Sequence, residues 1–208
     1  MAKLRSHEKN LRMIQLAMIM AIMVVLQIIG AALVRVAITV PALVLIPLYI
    51  GSAAFGKKTG AILGGFFGVI TLLLGVTGFD AYTHGLFLYK PLATAVICLG
   101  KGIMAGFLSA VVYEVMMKLT KNKLFPSSLI SSIMTPLANT TLYVLGVFVF
   151  FKEYSGFAAD STLWYVFGAV FMMIIVNFLI EVAMNAICCP ILVTILGKSK
   201  HFKKLLVK

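Results

Sequence analysis

The sequence has few charged residues, and acidic residues are the scarcest of them. Of the 208 residues 12% are charged, with 6 Asp and Glu against 18 Lys and Arg, whereas 62% are hydrophobic. A soluble domain of this length is about one-quarter charged and about half apolar. The composition therefore excludes an ordinary water-soluble globular fold, and its apolar content also excludes a disordered chain.

Residues typical of catalytic and metal sites are also scarce, with 3 His and 3 Cys in the whole chain. The cysteines lie in apolar runs without CxxC spacing, which favours small buried side chains. The histidines lie in the two tails and in one connection, and they form no cluster. The sequence contains no phosphate-binding loop, metalloprotease motif or nucleophile elbow. We therefore expect no enzyme activity, no cofactor and no metal site.

What the chain has in abundance is long apolar runs, and each bilayer crossing needs about 20 apolar residues. The first run is too long for a signal peptide and lacks a clear cleavage site, so we expect it to be retained. We predict an all-α polytopic membrane protein with six transmembrane helices in a compact bundle, forming a single domain over residues 1–208. The predicted spans are 11–34, 43–55, 59–76, 91–117, 127–151 and 164–196.

The basic residues cluster in alternate connections of this predicted bundle. The N-terminal tail, Lys57–Lys58, the connection 118–123 and the C-terminal tail together hold 14 of the 18 Lys and Arg. The positive-inside rule therefore places both termini in the cytoplasm. Because this charge follows membrane topology and does not share one solvated face, nucleic acid is excluded as a partner.

The predicted external connections are longer than the cytoplasmic ones and are rich in aromatic residues and glycine. This composition suits a lid over a cavity that opens outward. The alternative is that the aromatic residues only anchor the chain at the membrane interface. The candidate lid residues are Tyr82, His84 and Tyr89 in the connection 77–90, and Trp164 after the last external connection.

Small residues recur at every fourth position in three predicted spans. Such spacing places them on one helix face and predicts close contact between helix backbones. The glycines concerned are Gly60, Gly64 and Gly68 in the third span and Gly102 and Gly106 in the fourth. Ala17 and Ala21 in the first span have the same spacing, which by itself favours ordinary packing over the docking of a partner.

A few polar side chains interrupt the apolar spans, and they are the candidate substrate-binding residues. Ionisable groups inside a membrane are costly, so they are functional candidates. Asn177, Glu181 and Asn185 are four apart and share one helix face. One alternative is a structural ion pair between Lys101 and Glu181. The other is a ligand site in one cavity, formed by Lys101, Asn139, Asn177, Glu181 and Asn185.

The chain resembles the substrate-binding S components of energy-coupling factor (ECF) vitamin transporters over nearly its whole length. The stretches IPLYIGSAAFGKKTGAILGGFFGVITLLLG (46–75) and KPLATAVICLGKGIMAGFLSAVVYEVMMK (90–118) carry this resemblance. It implies a multi-pass subunit of a bacterial plasma membrane, surrounded by lipid. Its partners would be a transmembrane T component, which docks at Ala17 and Ala21, and two ATPase subunits.

Within that family, residues 134–151 and 177–192 look most like the pantothenate-type members. The resemblance implies that the vitamin is contacted by Lys101, Asn139, Asn177 and Glu181. Related sequences often carry arginine at position 101, and lysine gives up the two-pronged contact of a guanidinium. Another vitamin or precursor is an alternative substrate. A stand-alone transporter coupled to protons through Glu181 and a non-transporting membrane scaffold are alternatives of other classes.

Overall fold

Residues 2–34, 42–151, 161–199, 202 and 205–206 are described by a computed structural model, with side chains except in 2–9, 34, 81 and 161–173. These residues form seven α-helices and no strand. The helices are α1 Ala2–Val34, α2 Leu45–Phe55, α3 Lys57–Val76, α4 Ala81–Tyr89, α5 Pro91–Leu119, α6 Leu124–Phe150 and α7 Ser161–Leu196.

The all-helical membrane fold predicted from the sequence is confirmed. Five stretches are long and apolar enough to cross a bilayer: Asn10–Leu33, Lys57–Val76, Pro91–Leu119, Leu124–Phe150 and Ile174–Leu196. The second predicted span forms α2, whose 11 residues extend about 16 Å at the helical rise. This length is roughly half the thickness of the hydrocarbon core of a bilayer. All six predicted segments are therefore helical, and five of them have crossing length.

The connection 77–90 is not the extended loop that its composition suggested, because it contains the nine-residue helix α4. The side chain of Asp80 caps this helix by accepting hydrogen bonds from the backbone N–H groups of Tyr82 and Thr83, at 3.2 and 3.3 Å. The Thr83 hydroxyl also donates to Asp80, at 2.6 Å. An Asp at this position satisfies amide groups that the first turn leaves free. The predicted lid region is therefore partly a folded helix.

The glycine spacing predicted a close helix contact, and the packing of α3 against α5 confirms it. A Cβ atom added to Gly64 would clash with the backbone carbonyl of Gly102, and one added to Gly60 would clash with that of Gly106. A Cβ on Gly68 would lie 2.5 Å from the carbonyl oxygen of Cys98. The two backbones thus approach each other over two helical turns, which places Lys101 of α5 beside α3.

The two ends of the chain lie at the same end of the bundle. The Arg12 guanidinium of α1 donates hydrogen bonds to the Phe55 carbonyl at 3.2 Å and to the Thr59 hydroxyl at 2.9 Å. Leu206 belongs to the same buried cluster as Phe55, and its carbonyl accepts a hydrogen bond from Tyr113 at 3.3 Å. Both ends therefore pack beside the turn between α2 and α3.

Candidate ligand-binding site

Glu181 is the centre of a buried polar cluster on α7. Its side chain is 3% exposed, and its Oε1 accepts a hydrogen bond from the Asn177 amide at 2.9 Å. The same oxygen accepts the backbone N–H of Ala42 at 3.1 Å. Residue 42 leads directly into α2, so Glu181 joins the middle of α7 to the start of α2.

Four buried polar atoms on α6 and α7 have no hydrogen-bond partner in the described part of the chain. They are Thr135 Oγ1, Asn139 Oδ1, Asn177 Oδ1 and Glu181 Oε2. The two residues on each helix are four positions apart, and α6 packs against α7. Buried polar atoms are nearly always paired, since leaving one unpaired is costly. We call these four residues the α6–α7 seam, which is a candidate ligand contact.

The ammonium group of Lys101 lies against aromatic rings. Its Nζ is 4.7 Å from the ring centre of Tyr143 and 5.7 Å from that of Phe67. It is within electrostatic range of Glu181, but the two form no ion pair; the ion pair in the described residues is Lys57–Glu114, at 3.4 Å. The structural Lys101–Glu181 pair considered from the sequence is therefore not formed. The π faces stabilise the cation and leave its N–H groups available to an anion.

Asn185 differs from the other candidate residues because its hydrogen bonds stay within α7. Its amide nitrogen donates to the backbone carbonyl of Glu181 at 2.9 Å. Its carbonyl accepts a hydrogen bond from the Cys189 thiol, at 3.4 Å. The structure thus places Asn185 one turn below Glu181, where it supports the helix at the cluster.

The sequence did not indicate that Tyr143 and Phe67 contact Lys101, and it suggested Thr135 only as a polar neighbour of Asn139 that could share its cavity. A signal for two of them was present: Thr135, Asn139 and Tyr143 are four positions apart and share one face of α6. The hydroxyl of a threonine and the ring of a tyrosine are common in membrane helices, so neither stands out by composition. No pattern in the sequence points to Phe67, and only the structure shows its contact with Lys101.

Two of the predicted lid residues attach α4 to Tyr143 of α6 and to α3. The Tyr82 ring lies 6.2 Å from the Tyr143 ring, centre to centre, with the planes tilted by 50°. His84 Nδ1 is hydrogen-bonded to the Gly75 carbonyl at 2.8 Å, which ties α4 to the end of α3. An aromatic path therefore runs from α4 through Tyr143 to the Lys101 ammonium.

The other two predicted lid residues are farther from the cluster or outside the description. Tyr89 is 42% exposed, and its ring lies 6.1 Å from that of Phe151 at the end of α6. The side chain of Trp164 and the connections 35–41 and 152–160 lie outside the described residues.

The predicted docking residues lie on an open face of α1. Ala17 and Ala21 are both exposed, and large apolar side chains beside them are exposed as well, including Met13 at 68% and Met18 at 60%. Only 11% of the residues in the apolar stretch of α1 are buried within the protein, compared with 50% of those in the apolar stretch of α3. This face is available to lipid or to a partner helix.

No group of three or more His, Cys, Asp or Glu that could hold a metal ion is found among the described residues. The three cysteines, Cys98, Cys188 and Cys189, are free thiols.

The fold and the site together define a helical membrane protein with a cluster of polar side chains buried between its helices. The family model of the ECF transporter substrate-specific component matches residues 11–193, and the chain belongs to this family. No significant match is found among curated proteins or among solved structures. The chain is thus the substrate-binding component of an ECF transporter, a transporter subunit and not an enzyme. Its family implies T and ATPase components as partners.

Proposed function

We propose that this S component captures a small water-soluble vitamin outside a bacterial plasma membrane, for ATP-driven uptake by its partners. Pantothenate is the substrate we favour. Lys101 binds its carboxylate, and Asn139, Asn177 and Glu181 bind its hydroxyls and amide. The observation that carries this proposal is the α6–α7 seam, whose buried atoms have no partner in the described chain.

The environment of Lys101 supports the assignment of the carboxylate. A lysine inside a membrane bundle needs a partner for its charge, and here Tyr143 and Phe67 provide only ring faces. A bound carboxylate would add charge-assisted hydrogen bonds, which are stronger than neutral ones. Asn185 takes a supporting role in this proposal, because its side chain already bonds to Glu181 and Cys189 within α7.

The aromatic residues of α4 form one wall of the entrance in this proposal. Tyr82 closes over Tyr143, while His84 holds α4 against the end of α3. Tyr89, at the end of α4, belongs to the rim of the same entrance. This wall lies on the external side, because both termini lie at the opposite, cytoplasmic side according to the positive charges of the tails.

Docking to the T component uses the α1 face that carries Ala17 and Ala21. The small side chains let a partner helix approach closely, and the exposed methionines beside them adapt to its surface. The exposure of this face supports the proposal.

Titration of the purified chain with pantothenate by isothermal calorimetry tests the capture function. We expect one site per chain in detergent without any partner subunit, and no uptake in vesicles that lack the ATPase subunits. Absence of binding would exclude pantothenate as the substrate. Uptake that survives loss of the ATPase subunits and collapses with the proton gradient would instead support a proton-coupled transporter.

A further inference from the structure

The unpartnered atoms of the α6–α7 seam share one chemical property, which is that all four are oxygens. The Asn139 and Asn177 Oδ1 atoms and a carboxylate Oε2 of Glu181 accept hydrogen bonds, and the Thr135 hydroxyl accepts as well as donates. Three of the four side chains are buried, with Thr135 at 0%, Glu181 at 3% and Asn139 at 8% exposed. Asn177 is half-buried, and its Oδ1 atom is buried. The surface they offer to a bound molecule is therefore mainly a hydrogen-bond acceptor.

The orientation of the two α7 side chains is fixed by their own hydrogen bonds. Glu181 Oε1 accepts from the backbone N–H of Ala42 and needs a donor from Asn177, so the amide nitrogen of Asn177 must face it. The Asn177 Oδ1 is then the atom left over, and so is Glu181 Oε2. The acceptor character of Asn177 Oδ1 therefore follows from the network and is not an arbitrary choice between amide O and N. Glu181 Oε2 is an acceptor in the ionised carboxylate.

Lys101 on α5 offers the opposite chemistry, because an ammonium group only donates hydrogen bonds. Its neighbours Tyr143 and Phe67 contact it through their ring faces. The charge of Lys101 acts on Glu181, so a ligand that binds the ammonium is expected to contact the seam as well. A cationic ligand would meet repulsion from Lys101.

We propose that the seam recognises the hydrogen-bond donors of the ligand, with Thr135 as a further specificity-determining contact. This inference rests on the proposed capture function and names its substrate class. The ligand is a small anion whose anionic group binds Lys101 and whose remaining part carries at least two O–H or N–H groups for the seam. An anion without such donors leaves the buried acceptors unpaired and is rejected.

Four probes of known chemistry test the substrate class on the purified full chain, by thermal shift and calorimetry. Pantothenate and biotin are anions with two or more donors, nicotinate is an anion without donors, and thiamine is a cation. We expect binding of pantothenate or biotin, with nicotinate at least about a hundredfold weaker, as expected when a site built for hydrogen bonds meets an analogue that lacks them. Tight binding of nicotinate or thiamine overturns the inference alone. Binding of none of the four contradicts the proposed capture of pantothenate itself.

Two substitutions test the seam directly, with the tightest binder among those four probes. In Glu181→Gln, the side-chain oxygen keeps both hydrogen bonds at the Oε1 position, so an amide nitrogen replaces Oε2 and turns an acceptor into a donor. Thr135→Val removes one hydroxyl with little change of shape. We expect a loss of affinity of at least about tenfold for each variant, with Thr135→Ser restoring the affinity that Thr135→Val loses.

Thr94→Val is the matched control, because it removes an equally buried hydroxyl that bonds to the Lys90 carbonyl within α5. Its affinity should equal that of the wild type. If Glu181→Gln and Thr135→Val both bind the probe with wild-type affinity, the seam does not contact the ligand. If Glu181→Gln fails to fold, as judged by thermal unfolding, the pair Thr135→Val and Thr135→Ser decides the question.

Discussion

The contacts of the Lys101 ammonium group indicate what this residue can bind. The sequence places a lysine in an apolar span, which favours a ligand contact over a structural ion pair with Glu181. The structure shows no such ion pair, because the ammonium lies on the faces of Tyr143 and Phe67. Ring faces leave the N–H groups of the ammonium available to the anion that we propose.

Replacement of Lys101 by methionine is expected to weaken pantothenate binding at least about a hundredfold, since it removes a charge-assisted hydrogen bond to the carboxylate. Calorimetry in detergent measures this loss. Lys101→Arg should retain binding because the charge and its donors remain, and Lys57→Met, at the opposite end of α3, should bind as the wild type does. An unchanged affinity in Lys101→Met would show that Lys101 does not bind the carboxylate of pantothenate.

At the same scale, spacing predicted part of the site and packing determined the rest. The four-residue spacing of Asn177, Glu181 and Asn185 correctly predicted a shared polar face. It did not distinguish Asn185, whose hydrogen bonds stay within the helix, from Asn177, whose carbonyl oxygen has no partner among the described residues. That difference depends on which neighbours each side chain meets, and a single sequence does not encode those neighbours explicitly.

At the scale of elements, the contact between α3 and α5 positions Lys101 beside Phe67. Gly64→Ala should lower the free energy of unfolding by about 1–3 kcal/mol, the usual cost of overpacking, because the added Cβ meets the Gly102 carbonyl. Thermal or denaturant unfolding in detergent measures the loss. Gly100→Ala is the control, since nothing lies within 4 Å of its added Cβ. Equal stabilities of the two variants would argue against the close contact.

The cap of α4 is a second testable element. Asp80→Ala should destabilise this helix by about 1 kcal/mol, since the amides of Tyr82 and Thr83 lose their acceptor. Amide hydrogen exchange in residues 82–86 should then speed up, while exchange in α5 stays unchanged. Asp80→Asn keeps a capping oxygen and should exchange as the wild type does. Unchanged exchange in Asp80→Ala would show that packing alone maintains α4.

The sequence predicted the long helices better than the short ones. Long apolar runs identify α3, α5 and α6 within a few residues, because each must satisfy its backbone inside a bilayer. The short helix α4 was predicted as a loop, since its glycine and aromatic residues resemble those of an external connection. Its helical form depends on one side-chain cap and on contacts with α3, which composition does not show.

At the scale of the whole molecule, α1 exposes an apolar face that the other described residues leave largely uncovered. Ala17→Arg should prevent assembly with the T and ATPase components, because a long charged side chain blocks close helix approach. Pantothenate binding by the isolated chain should stay intact, since the binding site lies elsewhere. Co-purification of the subunits measures assembly, and Ala17→Ser serves as the control. A complete complex with Ala17→Arg would exclude docking at this face.

The overall architecture was predicted best where burial in the bilayer determines it. Hydropathy indicated the helical membrane fold, because each long apolar run must form a helix inside a bilayer. The half-length helix α2 was less predictable. Its apolar residues mark a buried segment, but its start beside Glu181 depends on a hydrogen bond from Ala42 to α7, 139 residues away.

We propose that the bundle binds a small anion through Lys101 and through the acceptor oxygens of α6 and α7. Mass spectrometry of the molecule retained by the purified chain is the decisive measurement. We expect one bound molecule per chain, with one anionic group and at least two O–H or N–H donors, that is absent from Lys101→Met. A retained molecule without those groups, or equal retention by Lys101→Met, would contradict it.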